Sequence, residues 1–167
     1  MSEPVFSITL TVEGLENAQR LLGQDWKRVV QTACVKVGKE VQLEFETAPG
    51  PAHQPVIWAS ERQRRWWHAA RAEAGLPLEY ARGSDPWSKD VEHSWTTVEA
   101  GSTDAEVRTF VDYAPYIHAD AARGGLRQQP QHFATGWMLD TQAVANVKAS
   151  GKIEVIVKAE IADALKG

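Results

Sequence analysis

One cysteine, Cys34, is all that a chain of 167 residues contains, so no disulfide can form within it. Cys34 sits between Ala33 and Val35 on the apolar side of a helical pattern. There it reads as a small buried hydrophobe rather than a reactive thiol, and a chain built this way fits a reducing cytoplasm. Long apolar runs are missing too. The longest fall far short of the roughly 18 residues that a membrane span needs, so no membrane partner is expected. The start, Met1 to Phe6, lacks the basic stretch and apolar core of a secretory signal. A net charge of -4 gives no general attraction to nucleic acid.

Chemistry-bearing motifs are equally scarce. The sequence has no phosphate-binding glycine motif, no zinc helix of the H-E-x-x-H type, no cysteine pair and no nucleophile elbow. Its five histidines are His53, His68, His93, His118 and His132. His118, Asp120 and His132 carry ligand types that zinc uses, but their spacing follows no standard site, and hydrogen-bonded loop histidines are the plainer reading. Between Asp85 and Asp112 the seven acids Asp85, Asp90, Glu92, Glu99, Asp104, Glu106 and Asp112 face two bases, Lys89 and Arg108. Paired carboxylates can run hydrolysis when their environments separate their pKa values. On turns and strands a solvated face is the simpler interpretation. No enzyme activity, cofactor or metal is expected.

What the chain does have is tryptophan: seven residues, Trp26, Trp58, Trp66, Trp67, Trp87, Trp95 and Trp137. Tryptophan suits places where an apolar body meets a polar rim, subunit interfaces among them. Two readings stand, interface anchors or plugs at the edge of a thin core. Glu61 to His68 is the one basic and aromatic cluster. Its arginines, with Arg71, fit either a nucleic-acid surface or a helix whose long side chains wrap over a buried tryptophan face.

The periodicities predict an α+β fold: two or three helices on a small, mainly antiparallel sheet, in a single domain spanning residues 1–167. Val5 to Val12 alternates like a half-buried strand. From Leu15 to Phe45 apolar residues recur at threes and fours, which predicts a long helix, with a break possible at Gly23-Gln24-Asp25 and a stop at Pro49. Ser60 opens a second helix with Gln63 completing a capping box, and Gly75-Leu76-Pro77 ends it. Val91 to Ala100 and Ala105 to Asp112 form a hairpin. Trp137 to Val147 reads as helix. Ile153 to Val157 fits a helix or an edge strand.

Tyr113 to Trp137 has no period of its own. A connection of about 20 residues without regular structure is unusual in a compact domain and is commonly a binding element. Aromatics at both ends and Gly124-Gly125 inside point to docking rather than chemistry. The stretch from Gly124 to Pro130 is expected to be mobile in the monomer and pinned on assembly.

The order of these segments carries a resemblance. A long helix ends at Ala48-Pro49, and Trp58 to Arg71 leads to Gly75-Leu76-Pro77-Leu78-Glu79-Tyr80. Ser94-Trp95 then opens a strand, Val111 to Ile117 closes the hairpin, and Gln128 to Phe133 precedes Gly136-Trp137. Over about Val41 to Trp137 the chain resembles the minor tail component or neck family of long-tailed bacteriophages, which act in tail completion and head–tail joining. It departs from many relatives in carrying His118-Ala119-Asp120 where they have Glu and Gly-Thr. The resemblance implies a non-enzymatic virion subunit at the neck or top of the tail, assembled in the host bacterial cytoplasm. It implies a ring, hexameric or dodecameric, contacting connector or head-completion proteins and tail-terminator or tail-tube proteins, with double-stranded DNA passing through. Candidate interface residues on that view are Trp58, Arg65, Trp66, Tyr80, Trp95, Tyr113, Tyr116, Phe133 and Trp137. Candidate lumen-facing acids are Asp90, Glu92, Glu99, Asp104 and Glu106. Alternatives are a tail-tube or baseplate-proximal minor tail protein, and a nucleic-acid-binding module using Arg62 to Arg71.

Overall fold

The computed structural model describes residues 6–10, 20, 23, 26–47, 49, 56–78, 91–120 and 127–166. Among them, the alternating stretch is strand β1, Phe6–Leu10. It pairs antiparallel with β3, Asp104–Thr109, which pairs antiparallel with β2, Thr96–Ala100, giving the order β1-β3-β2. Because side chains alternate along a strand, the register decides the faces. Phe6 opposite Thr109 and Ile8 opposite Val107 put the apolar set on one side, with Thr97 across from Val107.

That side is covered by α1, Trp26–Glu46. Val29, Val30, Ala33, Cys34, Val41 and Phe45 are its buried apolar residues, as the three-and-four spacing requires. Polar contacts fix its seating. Gln31 Nε2 donates to the Asp104 carbonyl at 2.6 Å, and Thr97 Oγ1 donates to Gln42 Oε1 at 2.8 Å. Cys34 donates its S–H to the Thr103 carbonyl at 3.0 Å, and burial with nearby Asp104 pushes its pKa up, as the reading of an inert thiol anticipates.

The second helix, α2, Glu61–Glu73, starts where the cap predicts. Ser60 Oγ accepts from the Gln63 backbone N–H at 3.1 Å, while Gln63 Oε1 accepts from the N–H of Ala59 rather than of Ser60. The helix is released at Gly75, whose φ of +67° suits glycine. The hairpin strands are shorter than expected, because Val91 to His93 form a turn before Ser94 and Trp95 lead into β2.

The aperiodic stretch after the hairpin corrects the expectation of a structureless loop. It contains α3, Ala114–His118, and α4, Pro130–Thr135, each begun by a proline in its first turn. Helices this short leave too few residues for a 3.6-residue period to register. The returning segment is held by hydrogen bonds within the chain. Gln128 Nε2 donates to the carbonyls of Ile117 and Trp137 at 2.6 and 2.7 Å, and the Gln129 N–H donates to the Tyr116 carbonyl at 2.8 Å. Residues 121–126, with Gly124-Gly125, lie outside the described residues.

Beyond Trp137, α5 spans Asp140–Ala149 and so starts three residues later than the pattern implied. The ambiguous C-terminal segment is helical, α6, Lys152–Ala164. Ile153 and Val157 turn toward α1 and α5, where with Val37, Val41, Val144 and Val147 they line an apolar cavity of about 130 Å³. Ion pairs Lys36–Glu160 and Lys152–Glu40 clasp α6 to α1.

The centre of the core is aromatic. Phe45 stacks on Trp95 with ring centroids 4.2 Å apart, Phe6 meets Trp95 edge-on at 5.8 Å, and His118 stands edge-on to Phe45, Trp95 and Trp137. Offset and edge geometries are those that ring quadrupoles favour.

A candidate docking surface

The possible ligand set is not assembled. Among the described residues no group of three or more His, Cys, Asp and Glu side chains is placed to hold a metal ion. His118 is instead a core residue, 1 % exposed. Its Nδ1 lies 2.8 Å from the Met138 carbonyl, which can only accept, so the proton sits on Nδ1. Nε2 is left with a bare lone pair among the rings. Burial pushes the His118 pKa down from 6.5 to about 4, against the Met138 carbonyl, which favours the protonated form. His132 is lowered to about 4 as well, by burial first and by His118 second. Asp120 accepts from Thr141 Oγ1 at 3.1 Å.

Two of the expected interface anchors move inside. Trp95 and Trp137 are 3 % and 4 % exposed, walling the His118 cluster, because their positions next to β2 and α5 turn them under the sheet–helix layer. Tyr113 is half-buried and packs against the same cluster. Tyr80 and Asp90 lie outside the described residues.

The remaining candidates do reach the surface. Trp66 is 67 % exposed, Phe133 52 % and Tyr116 41 %. Ile57, absent from the sequence-based candidates, is 73 % exposed; it lies in a three-residue apolar run too short to carry a period. Trp58 is half-buried, with its ring 5.3 Å from Trp67. A groove of about 310 Å³ brings Ile57, Trp58 and Gln63 opposite Gln128, Pro130 and Phe133. Segments about 70 positions apart in the chain therefore form one concave surface, which no local pattern announces.

Helix α2 explains why its two adjacent tryptophans differ. Consecutive helical residues point about 100° apart. Trp67 turns inward against Trp58, and the Arg71 guanidinium lies 4.8 Å from its ring while Arg71 Nε donates to the Pro77 carbonyl at 2.5 Å. Arg71 thus wraps over a buried tryptophan as the second reading of the cluster had it, whereas Arg62 and Arg65 stand beside the exposed Trp66. The opposite side of α2 presents Arg62, Arg65, Trp66 and Ala69 around a shallow depression. Glu61 hydrogen-bonds both Arg64 and Arg65, and these bonds hold its carboxyl down to about 2. Two arginines thus share one carboxylate, and Arg62 beside them does not take part.

The hairpin acids are divided between two faces. Asp104 and Glu106 alternate with the buried Ala105 and Val107, so they point away from α1. Glu106 pairs with Arg108 at 3.6 Å. Glu99, opposite Ala105 in the register, is exposed on the edge strand β2 and belongs to the α1 side. Glu92 is half-buried in the turn before β2. No protein-family model, no curated protein and no solved structure matches the chain.

Proposed function

We propose that the chain is a non-enzymatic structural subunit of a long-tailed bacteriophage virion, forming a ring at the head–tail interface through which DNA passes. The observation that carries this reading is the groove shared by Ile57, Trp58 and Phe133, together with the exposed rings of Trp66 and Tyr116 outside it. Large apolar side chains are left out of a core that had room for Trp67, Trp95 and Trp137. Aromatic residues and arginine exposed around a groove are the composition of binding hot spots. They lie in the same segments whose order resembles the neck family. A sheet–helix body provides the rigid part, and ring contacts are heterologous, so a groove on one subunit meets a different patch on the next. The face bearing Asp104 and Glu106 is our choice for the lumen, where acidic residues would keep passing DNA from adhering.

The test is quantitative mass spectrometry of purified virions, counting this chain against the major capsid and tube proteins. A closed ring predicts about six or twelve copies per particle. Copy numbers like those of the tube protein would move the chain into the tube, and absence from the particle would refute a virion role.

A further inference from the structure

We propose that the outward face of α2 docks on the β2 edge of the hairpin of a second copy of the chain, with Arg62 opposite Glu99. The inference rests on the ring reading and names the two surfaces that would meet in it. Arg62 is exposed, and among the described residues it makes no hydrogen bond or ion pair. Its neighbours Arg64 and Arg65 are both turned onto Glu61, so the α2 face carries excess positive charge beside the exposed ring of Trp66. Several other charged side chains of the helices are paired within the chain, as in Lys36–Glu160, Lys152–Glu40 and Lys158–Glu154.

The complementary surface is on the same molecule. From Val91 to Asp112 the chain carries Glu92, Glu99, Asp104, Glu106 and Asp112 against Arg108 alone among lysines and arginines. Glu99 is exposed on β2, which among the described residues pairs only with β3 and leaves its other edge open. The Arg62 surface cannot satisfy itself on its own helix, where the nearby carboxylate is already shared. Opposite charges on different surfaces of one chain favour a head-to-tail contact, which forms a ring where its rotation closes and an open filament where it does not. Complementary potentials also set register and suppress wrong pairings. Trp66 supplies the apolar anchor such a contact needs.

The experiment is sedimentation velocity on the purified full chain over a concentration series at low and high salt, with circular dichroism to confirm folding. Expected are self-association that weakens with salt and a loss of at least about tenfold in affinity for Arg62→Glu and for Glu99→Lys alone. Combining Arg62→Glu with Glu99→Lys should restore most of it. Both sites lie on exposed surface, so folding should survive. Trp66→Ser should weaken association while leaving its salt dependence. A wild-type chain that stays monomeric, or single variants that associate like wild type, would overturn the proposal. Arg62→Glu acting without any Glu99→Lys effect or rescue would also overturn it, by assigning α2 to another partner. The ring's place in the virion is read separately by copy counting, so failure here leaves that reading open to its own test.

Discussion

Acid should unfold this protein in part through one side chain, His118. At neutral pH its Nδ1–H donates to the Met138 carbonyl, and Nε2 faces aromatic rings without a hydrogen-bond partner. A second proton would add a donor at Nε2 with nothing to receive it, and a charge in the core. The folded pKa is therefore about 4 against 6.5 for the ordinary side chain. As pH falls below 6.5, the unfolded chain takes up the proton and the folded chain does not, so stability decreases. The loss accrues at about 1.4 kcal/mol per pH unit and levels off near the folded pKa, at a total of about 3 kcal/mol. Small domains have roughly 5–15 kcal/mol in all, so this is a substantial share. His118→Phe keeps a ring in place and removes the titration. It strands the Met138 carbonyl, which costs about 1–3 kcal/mol near neutrality. Urea unfolding followed by tryptophan fluorescence, repeated from about pH 8 to about pH 4, should show the variant less stable at the top of the range. Its deficit should then shrink by about 3 kcal/mol toward the bottom. Carboxylates titrate in both proteins and cancel in the difference. Parallel wild-type and variant curves between pH 6.5 and 4 would refute the argument.

Three further outcomes follow from the packing. Gly38→Ala places a Cβ 2.6 Å from Thr97 Cγ2, a short β-branched side chain already tied to Gln42, and should cost about 1–3 kcal/mol in denaturant unfolding. Ser60→Ala removes the cap acceptor for the Gln63 N–H and should cost about 1 kcal/mol; because α2 is anchored mainly by Trp67, hydrogen exchange should rise most in its first turn. Cys34, buried and with its pKa raised, should react with a thiol reagent only as fast as the protein opens, and addition of urea below the midpoint should accelerate labelling.

Whatever depended on periodicity could be read from the chain. The alternation of Phe6, Ile8 and Leu10 predicted β1, and the spacing of Leu15 to Phe45 predicted a long helix; each pattern needs only one buried face. Of that helix α1 takes Trp26–Glu46, while most of residues 15–25 lies outside the described residues. Ser60 and Gln63 marked the start of α2 within a residue, since a cap is a local hydrogen bond. The α+β class followed from these elements together. What needed the tertiary structure was the fate of residues whose neighbours come from elsewhere in the chain. Trp66 and Trp67 are chemically identical and adjacent, and it is the side of α2 that meets Trp58 and Arg71 that separates a buried ring from a surface one. Trp95, Trp137 and His118 became one aromatic cluster because β2, α3 and α5 converge on Phe45. Gln128, an ordinary loop residue in sequence, turned out to tether two distant carbonyls. Ile153 to Val157 fits helix and strand alike by its own spacing, and packing against α1 decides for the helix. Local propensity and period act over a few residues; burial and long-range hydrogen bonding act over the whole chain and select among the alternatives that local rules leave equal.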